Sequence, residues 1–418
     1  MDGRRSGRRG AAARGRMSPP GGMPGRGSGS AHAALAVAGC AVVVGAAAFV
    51  LPGGLVPRSG DGGGGRLADP APAAAARPRP GTRPPAPAPA PAPVGPASPD
   101  PRLRARVTLT HNAGCTVSAN LVPSCGAWWG VAPAAFTTTP HTEALHDFER
   151  KIGRTVDIYH AYHRGDQMFP TAEEMAIARE PDHRRMLLLN WKPDTGRTWA
   201  SVAAGSMDGQ IDRLAAHIRA TFPEKFFLVI HHEPEEEVRE TPGSGHTADD
   251  YRNMFRHVVQ RFRADGVRNA LFTAVFMGSQ KWGVQPWFDR LYPGSDVVDW
   301  LGMDPYASAD TPDFSHLVNM TSTQGRGFPG FYTWAGRIAP GKPIMMAEWG
   351  VFSTGARKAA FFKTVATQLK RHPRIKALVY FDTPRAPFAG FEIDTRVDSS
   401  ASSLDAYQTV SNNPQFNP

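Results

Sequence analysis

The chain has 418 residues, 41% of them apolar and 20% charged, with three Cys and a formal net charge of +10. Residues 1–106 hold 15 Arg, no Lys and four Asp, a net +11, which leaves 32 basic against 33 acidic side chains, a net −1, in residues 107–418. A nucleic-acid footprint needs Lys and Arg clustered on a folded face, so this distribution speaks against nucleic acid as a partner.

Residues 1–30, with seven Arg and one Asp among Gly, Ser and Pro, have no apolar period and read as a basic disordered segment. Residues 31–51, AHAALAVAGCAVVVGAAAFVL, carry no formal charge over 21 positions. A span of ~20 apolar residues crosses a bilayer, so a signal anchor is one reading and a cleaved signal peptide another. LAVAGC, ending in Cys40, also looks like a lipobox, although the apolar run continues past it. The anchor and signal readings both export the rest of the chain, because the Arg cluster stays in the cytoplasm. Membrane attachment through this segment and an extracellular body are therefore expected. Residues 52–106 are Pro/Ala/Gly-rich, with PPAPAPAPAPVGPASP as the longest repeat. Such a stretch favours polyproline II and serves as a semi-rigid spacer of ~3 Å per residue.

Cys115 and Cys125 flank a short loop, CTVSANLVPSC, and an oxidising compartment would pair them. From there short apolar runs alternate with helical patterns. The runs are AWWGV (127–131), TVDIYHAY (155–162), MLLLNW (186–191), FFLVI (226–230), ALFTAVF (270–276), VVDWLGM (297–303), PIMMAEW (343–349) and ALVYF (377–381). Between them, residues 142–152, 171–179, 208–222, 249–262 and 356–369 carry the 3.6-residue period, with Thr247 and Asp208 as N-cap candidates. Eight strands alternating with helices over residues 107–418 predict an α/β fold, a (β/α)8 TIM barrel preceded by a disordered N-terminal extension. A doubly wound open sheet is the alternative, but no glycine-rich phosphate loop follows the first strand.

A barrel brings all its strand ends to one mouth, and these ends carry proton-transfer groups. The fourth offers His231, His232 and Glu233, the sixth Asp304 and Tyr306, and the seventh Glu348 beside Trp349. Carboxylates on strands four and seven face each other across the mouth, the arrangement glycoside hydrolysis needs: one protonates the leaving oxygen and the other attacks the anomeric carbon. After Pro234, which ends the strand, Glu235 to Glu237 read as a solvated loop. Aromatic planes stack on the C–H faces of sugars, which makes Trp191, Trp349 and Trp129 candidate substrate contacts. His160 is within reach of the mouth, and His163 reads as polar packing.

The strand-four and strand-seven glutamates, His232 before the first, D-x-Y at Asp304 and Tyr306, and AEWG around the second resemble glycoside hydrolase family 26, a family of retaining enzymes known chiefly for β-mannanases. The resemblance covers residues 125–410 and implies Glu233 as general acid/base, Glu348 as nucleophile, Tyr306 as the partner of Glu348, and His232 as orienting the acid/base or touching substrate. Those mannanases usually carry an Arg shortly before the His-Glu pair, where this chain has Leu228-Val229-Ile230. The implied activity is a retaining, endo-acting hydrolase of a β-linked polysaccharide such as β-mannan, working as a monomeric catalytic domain and calling for no cofactor. Two other classes stay open: a metal-dependent hydrolase using His160, His163, His231, His232, Asp304 and Asp382, and a non-catalytic carbohydrate-binding barrel.

Overall fold

The computed structural model describes residues 114–384, 386–388 and 391–418. The expected segments 1–30, 31–51 and 52–106 lie outside them, and among the described residues no helix is long and apolar enough to cross a membrane. Eight parallel strands close into a barrel: β1 (Trp128–Pro133), β2 (Ile158–Arg164), β3 (Met186–Lys192), β4 (Phe226–Ile230), β5 (Ala270–Phe276), β6 (Trp300–Met303), β7 (Ile344–Val351) and β8 (Ile375–Asp382). Each pairs with the next, and β8 closes on β1 from Trp128 beside Ala377 to Pro133 beside Asp382. The TIM barrel expected from the sequence is therefore observed, with β4 and β5 at the expected residues and the other strand ends within a few positions.

Strand side chains alternate between two environments, and the alternation builds two separate cores. Trp128, Ile158, Leu188, Phe227, Val229, Leu271, Val275, Trp300, Met345, Ala377 and Val379 point into the barrel. Their neighbours, among them Trp129, Tyr159, Leu189, Ile230, Phe272, Met346 and Leu378, point outward to the helices. Both faces being apolar explains why the strands read as unbroken apolar runs. The interior is filled to contact: a Cβ added at Gly302 would meet the Cγ2 of Val275 at 2.4 Å.

The helices are laid down by their apolar period and closed by local caps. Ala172–Ala178 begins with a reciprocal capping box between Thr171 and Glu174, and Ala248–Ala264 with one between Thr247 and Asp250. Asp208 is not the N-cap expected of it. Met207 holds that position, and Asp208 begins the helix Asp208–Thr221, where its charge lies in the first turn.

The amino-terminal end of the barrel is stopped by the loop 115–125, closed by a Cys115–Cys125 disulfide. Leu121 and Val122 pack against the interior core. Two indoles from the lowest interior layer donate to the loop's backbone: Trp128 Nε1 to the Leu121 carbonyl and Trp300 Nε1 to the Asn120 carbonyl, each at 2.8 Å. Lys225, just before β4, donates to the Ala119 carbonyl. The loop thus satisfies buried donors that β1 and β6 alone would leave unpaired. Replacing both Cys115 and Cys125 by Ser is expected to cost roughly 3 kcal/mol of unfolding free energy in urea, the chain-entropy value for a loop of this length.

Candidate active site

Going up the barrel, the inward positions change from apolar to polar. On β2 they are Ile158, His160 and Tyr162, and on β3 Leu188, Asn190 and Lys192. His160 and Asn190 are buried, and burial pushes His160 down to about 3. On β7 strict alternation would send Glu348 outward, because Ala347 already faces the interior core. A register shift between Met346 and Trp349 against β8 adds one residue, so that Glu348 also turns inward and Trp349 turns to the helices. This is how a β-bulge re-aims a side chain next to a functional site.

Glu348 is buried and held at every polar atom. Its Oε1 accepts from the Tyr162 hydroxyl and its Oε2 from the Tyr306 hydroxyl, each at 2.7 Å. Its backbone N–H donates to Asp304 Oδ1 at 2.8 Å, and His232 Nε2 stands 4.0 Å from Oε1. Burial raises the Glu348 carboxyl above its ordinary range, while the two phenols pull it back down. Both phenols are themselves raised well above the usual Tyr range by burial and then by the charge of Glu348, so they remain donors.

Glu233 arrives through an irregular strand end. Beyond Ile230, the N–H of His231 still bonds to Trp191 on β3 at 2.8 Å and that of Glu233 to Val275 on β5 at 3.1 Å. Between these anchors His231 and Glu233 both adopt left-handed backbone, φ 50° and 53°. For residues with a Cβ this costs energy and persists only where surroundings impose it. The imposing partner is visible: His231 is fully buried, its Nδ1 2.9 Å from Asp194 Oδ1 and its Nε2 3.5 Å from Glu237 Oε2. Glu237 in turn accepts from Lys192 Nζ at 2.8 Å.

One carboxylate oxygen from each of Glu233, Asp304 and Glu348 lies within 4.8 Å of the other two. At that spacing two negative charges repel by at least about 3 kcal/mol for an effective dielectric of about 20, so the three cannot all be ionised. Glu233 is raised well above the carboxylate range by burial, then by Glu348 and then by Glu235. Asp304 is raised by burial, then by Glu348 and Glu233, and its Oδ2 is buried without a hydrogen-bond partner among the described residues. Only Glu348 has two hydroxyl donors, each worth about 1.5–3 kcal/mol to a charged acceptor. The two hydroxyl donors thus favour the negative charge on Glu348 over Glu233 and Asp304. His232 is held neutral, lowered by burial and then by Lys192.

The structure brings Glu233, Glu348, His232, Asp304 and Tyr306 together, with His160 one layer below, its Nδ1 3.4 Å from the Tyr162 hydroxyl. It does not bring the three tryptophans there. Trp191, Trp349 and Trp129 are fully buried between barrel and helices. Trp191 donates to the Gly165 carbonyl at 3.0 Å, and Trp129 and Trp349 pack edge to face at 5.9 Å, so none offers a face to a sugar. The cause is parity: each sits one residue from an inward position. His163 also points outward, 2.9 Å from Glu174. Tyr162 is the site residue missed; its signal was its position two residues after His160 on the same strand face. The solvated loop expected at Glu235–Glu237 is instead a single 3-10 turn, Pro234–Glu236, with Glu235 buried and its carboxylate accepting from Gly278 N–H at 3.3 Å.

Among the described residues, two groups of side chains have ligand atoms close enough to hold a cation: Glu233, Asp304 and Glu348, and Asp194, His231 and Glu237. Of the residues named for a metal-dependent hydrolase, Asp304 falls in the first group and His231 in the second, while His163 and Asp382 lie outside both. His163 is paired outside the barrel, and Asp382 accepts from Val397 N–H at 2.8 Å.

Burial pushes the Glu235 carboxyl up to about 7 from an ordinary 4.5. A carboxyl raised on folding contributes stability that is full below its unfolded value and is lost as pH rises through the folded one. Glu235→Gln is thus expected to gain stability relative to the wild type between pH 5 and pH 8, read as a growing difference in Tm.

No protein-family model matches the chain. It is 25% identical over 300 residues to endoglucanase H of Acetivibrio thermocellus, covering 70% of this chain and 31% of that protein. It is 34% identical over 73 residues to a β-1,3-xylanase of a Vibrio species, covering 16% of this chain and 15% of the other. The chain thus spans about a third of the length of the first relative and less of the second. Similar solved structures include a GH26 β-mannanase from Bacteroides ovatus, 18% identical with a TM-score of 0.47 over 70% of this chain and 90% of that one. The GH26 domain of an endo-β-mannanase/endo-β-glucanase from Prevotella bryantii is 14% identical, with a TM-score of 0.45 over the same shares. The barrel is similar to glycoside hydrolases of family 26.

Proposed function

We propose that the chain is a retaining glycoside hydrolase that cleaves a β-linked polysaccharide, β-mannan or a related β-glycan, within the chain. The observation that carries this reading is Glu348, clamped by the Tyr162 and Tyr306 hydroxyls with a carboxylate oxygen within 4.8 Å of one of Glu233. Retaining enzymes hold their two carboxyls ~5 to 5.5 Å apart, and inverting ones leave ~6.5 to 9.5 Å for a water. The spacing here favours retention. The similarity to an endoglucanase supports the substrate class, as does the resemblance of the site residues to family 26.

In the first step Glu348 attacks the anomeric carbon while Glu233 gives its proton to the departing oxygen, leaving a glycosyl ester on Glu348. Esterification removes the charge that is the second-largest cause of the high Glu233 pKa. Glu233 then stays ionised and becomes the base, taking a proton from the water that attacks the same carbon and frees Glu348. Two inversions return the original configuration. Asp304 fixes the backbone of Glu348 and His232 flanks its Oε1, both as groups holding the nucleophile or touching the sugar. Trp191, Trp349 and Trp129 have no part in it. The disulfide supports export, with residues 31–51 as anchor or cleaved signal and 52–106 as spacer. The barrel is expected to act as a monomer.

On a panel of soluble β-glycans, Glu348→Gln and Glu233→Gln should each lose at least about a thousandfold in kcat/KM. The first product seen by NMR should have retained configuration; an inverted one removes Glu348 as nucleophile. Glu233→Gln should recover on a substrate whose leaving group needs no proton. Tyr162→Phe removes a bond that lowers the Glu348 pKa. Its acidic limb in the pH–rate profile is therefore expected to move to higher pH, with kcat down by about tenfold or more.

A further inference from the structure

The proposed reaction gives Glu235 no step, although its carboxyl is buried two residues beyond Glu233. Its Oε1 accepts from the Gly278 N–H at 3.3 Å, and its Oε2 is buried without a hydrogen-bond partner among the described residues. Gly278 follows β5 with left-handed backbone, φ 66°, and a Cβ on it would meet Phe331 Cδ2 at 2.9 Å. The segment is packed tightly there, which makes its N–H a fixed point. The Glu233 N–H already donates to the Val275 carbonyl on β5 at 3.1 Å. The turn Pro234–Glu236 is thereby tied to β5 and its following segment twice, once on each side of Pro234.

A tie of this kind needs only an acceptor oxygen. Gln would offer its amide carbonyl to the same N–H and carry no charge into a buried place. What Glu235 adds over Gln is therefore the charge, and burying a charge with one oxygen unpartnered costs the fold free energy. Burial raises this carboxyl to about 7, the N–H groups of Glu235 itself, Met277 and Gly278 draw it down, and Glu236 adds to the rise. A group that destabilises its own site is explained where a neighbour uses it.

The neighbour is Glu233. After burial and Glu348, Glu235 is the next cause of the high Glu233 pKa, and it adds to the rise at Asp304. The other titratable groups about the turn are Glu236 and Glu237, Tyr251 from the helix Ala248–Ala264, and Asp304 and Glu348 across the mouth. His231 is paired with Asp194 and Glu237. Two cations are near: Lys192 of β3 is tied to Glu237, and the Lys281 ammonium lies 4.1 Å from the Trp282 ring centroid. Both draw Glu236 back against the rise that burial gives it, and among the described residues neither is bonded to Glu235.

We propose that Glu235 is a positioning residue that acts through Glu233: it pins the Glu233 turn to the end of β5 and sets a negative charge beside it that keeps the proton on Glu233 in neutral and alkaline solution. This inference rests on the glycosidase reading. Above about 7 Glu235 is ionised and disfavours a second charge at Glu233. Loss of that charge lets Glu233 give up its proton at lower pH.

The test measures kcat/KM against pH for full-length wild type, Glu235→Gln and Glu235→Asp on the best soluble β-glycan of the panel, with Tm at every pH. On the basic side kcat/KM falls as the acid of the free enzyme loses its proton. In Glu235→Gln that limb is expected to move down by about one pH unit, about a tenfold loss at a fixed pH on the limb, while Tm stays at or above wild type. Glu235→Asp keeps the charge, and its limb should stay with the wild type. On an aryl glycoside whose leaving group needs no proton the shift should vanish, which a loosened fold would not produce. A basic limb unmoved in Glu235→Gln overturns the inference and leaves the glycosidase reading intact. A loss equal at all pH values, or a limb shifted alike in the Gln and Asp variants, assigns Glu235 to packing alone and overturns it too. A wild type that cleaves no β-glycan removes the glycosidase reading, and the inference falls with it.

Discussion

Crowding three carboxyl groups at the end of a nearly dry barrel is the condition around which this molecule is organised. Left alone, such a cluster would take up protons until little charge remained. Phenol donors from β2 and from the segment after β6, the Lys192 ammonium and a fixed backbone at Asp304 make the three carboxyls unequal, favouring charge on Glu348 and a proton on Glu233. The apolar lower barrel makes that distribution strong, because the same contacts in water would be worth far less.

That demand reaches back into the scaffold. Glu233 stands on a left-handed turn that His231 keeps in place by spanning Asp194 and Glu237. Glu348 stands on a bulge. The interior below is filled by large side chains and closed by a disulfide-bound loop.

Much of this was legible in the sequence, for identifiable reasons. Strands apolar on both faces gave eight unbroken runs, and the carboxylates stood out because they interrupt such runs at their ends. The failures also share a cause. Whether a residue near a strand end faces in or out depends on parity counted from a known inward position, and one sequence does not supply that origin. Trp191 and Trp129 were misplaced by one position for this reason, and Tyr162 was overlooked for the same one. Trp349 and Glu348 could not be assigned by counting at all, because the register shift on β7 resets the parity between Met346 and Trp349. Glu235 looked solvated because a run of acids usually is; only the fold shows it turned beneath the β5 loop onto Gly278.

The bulge on β7 has a consequence for how such a site changes over generations. Substitutions elsewhere on β7 alter packing but leave the orientation of Glu348 intact. Loss or gain of a single codon between Met346 and Trp349 would exchange the environments of a carboxylate and an indole, sending the charge into the helix layer and the ring into the cleft. Reading-frame-preserving indels, normally a concern for loops, would here reach the site through a core strand, because the strand's length sets which of its side chains face the cleft.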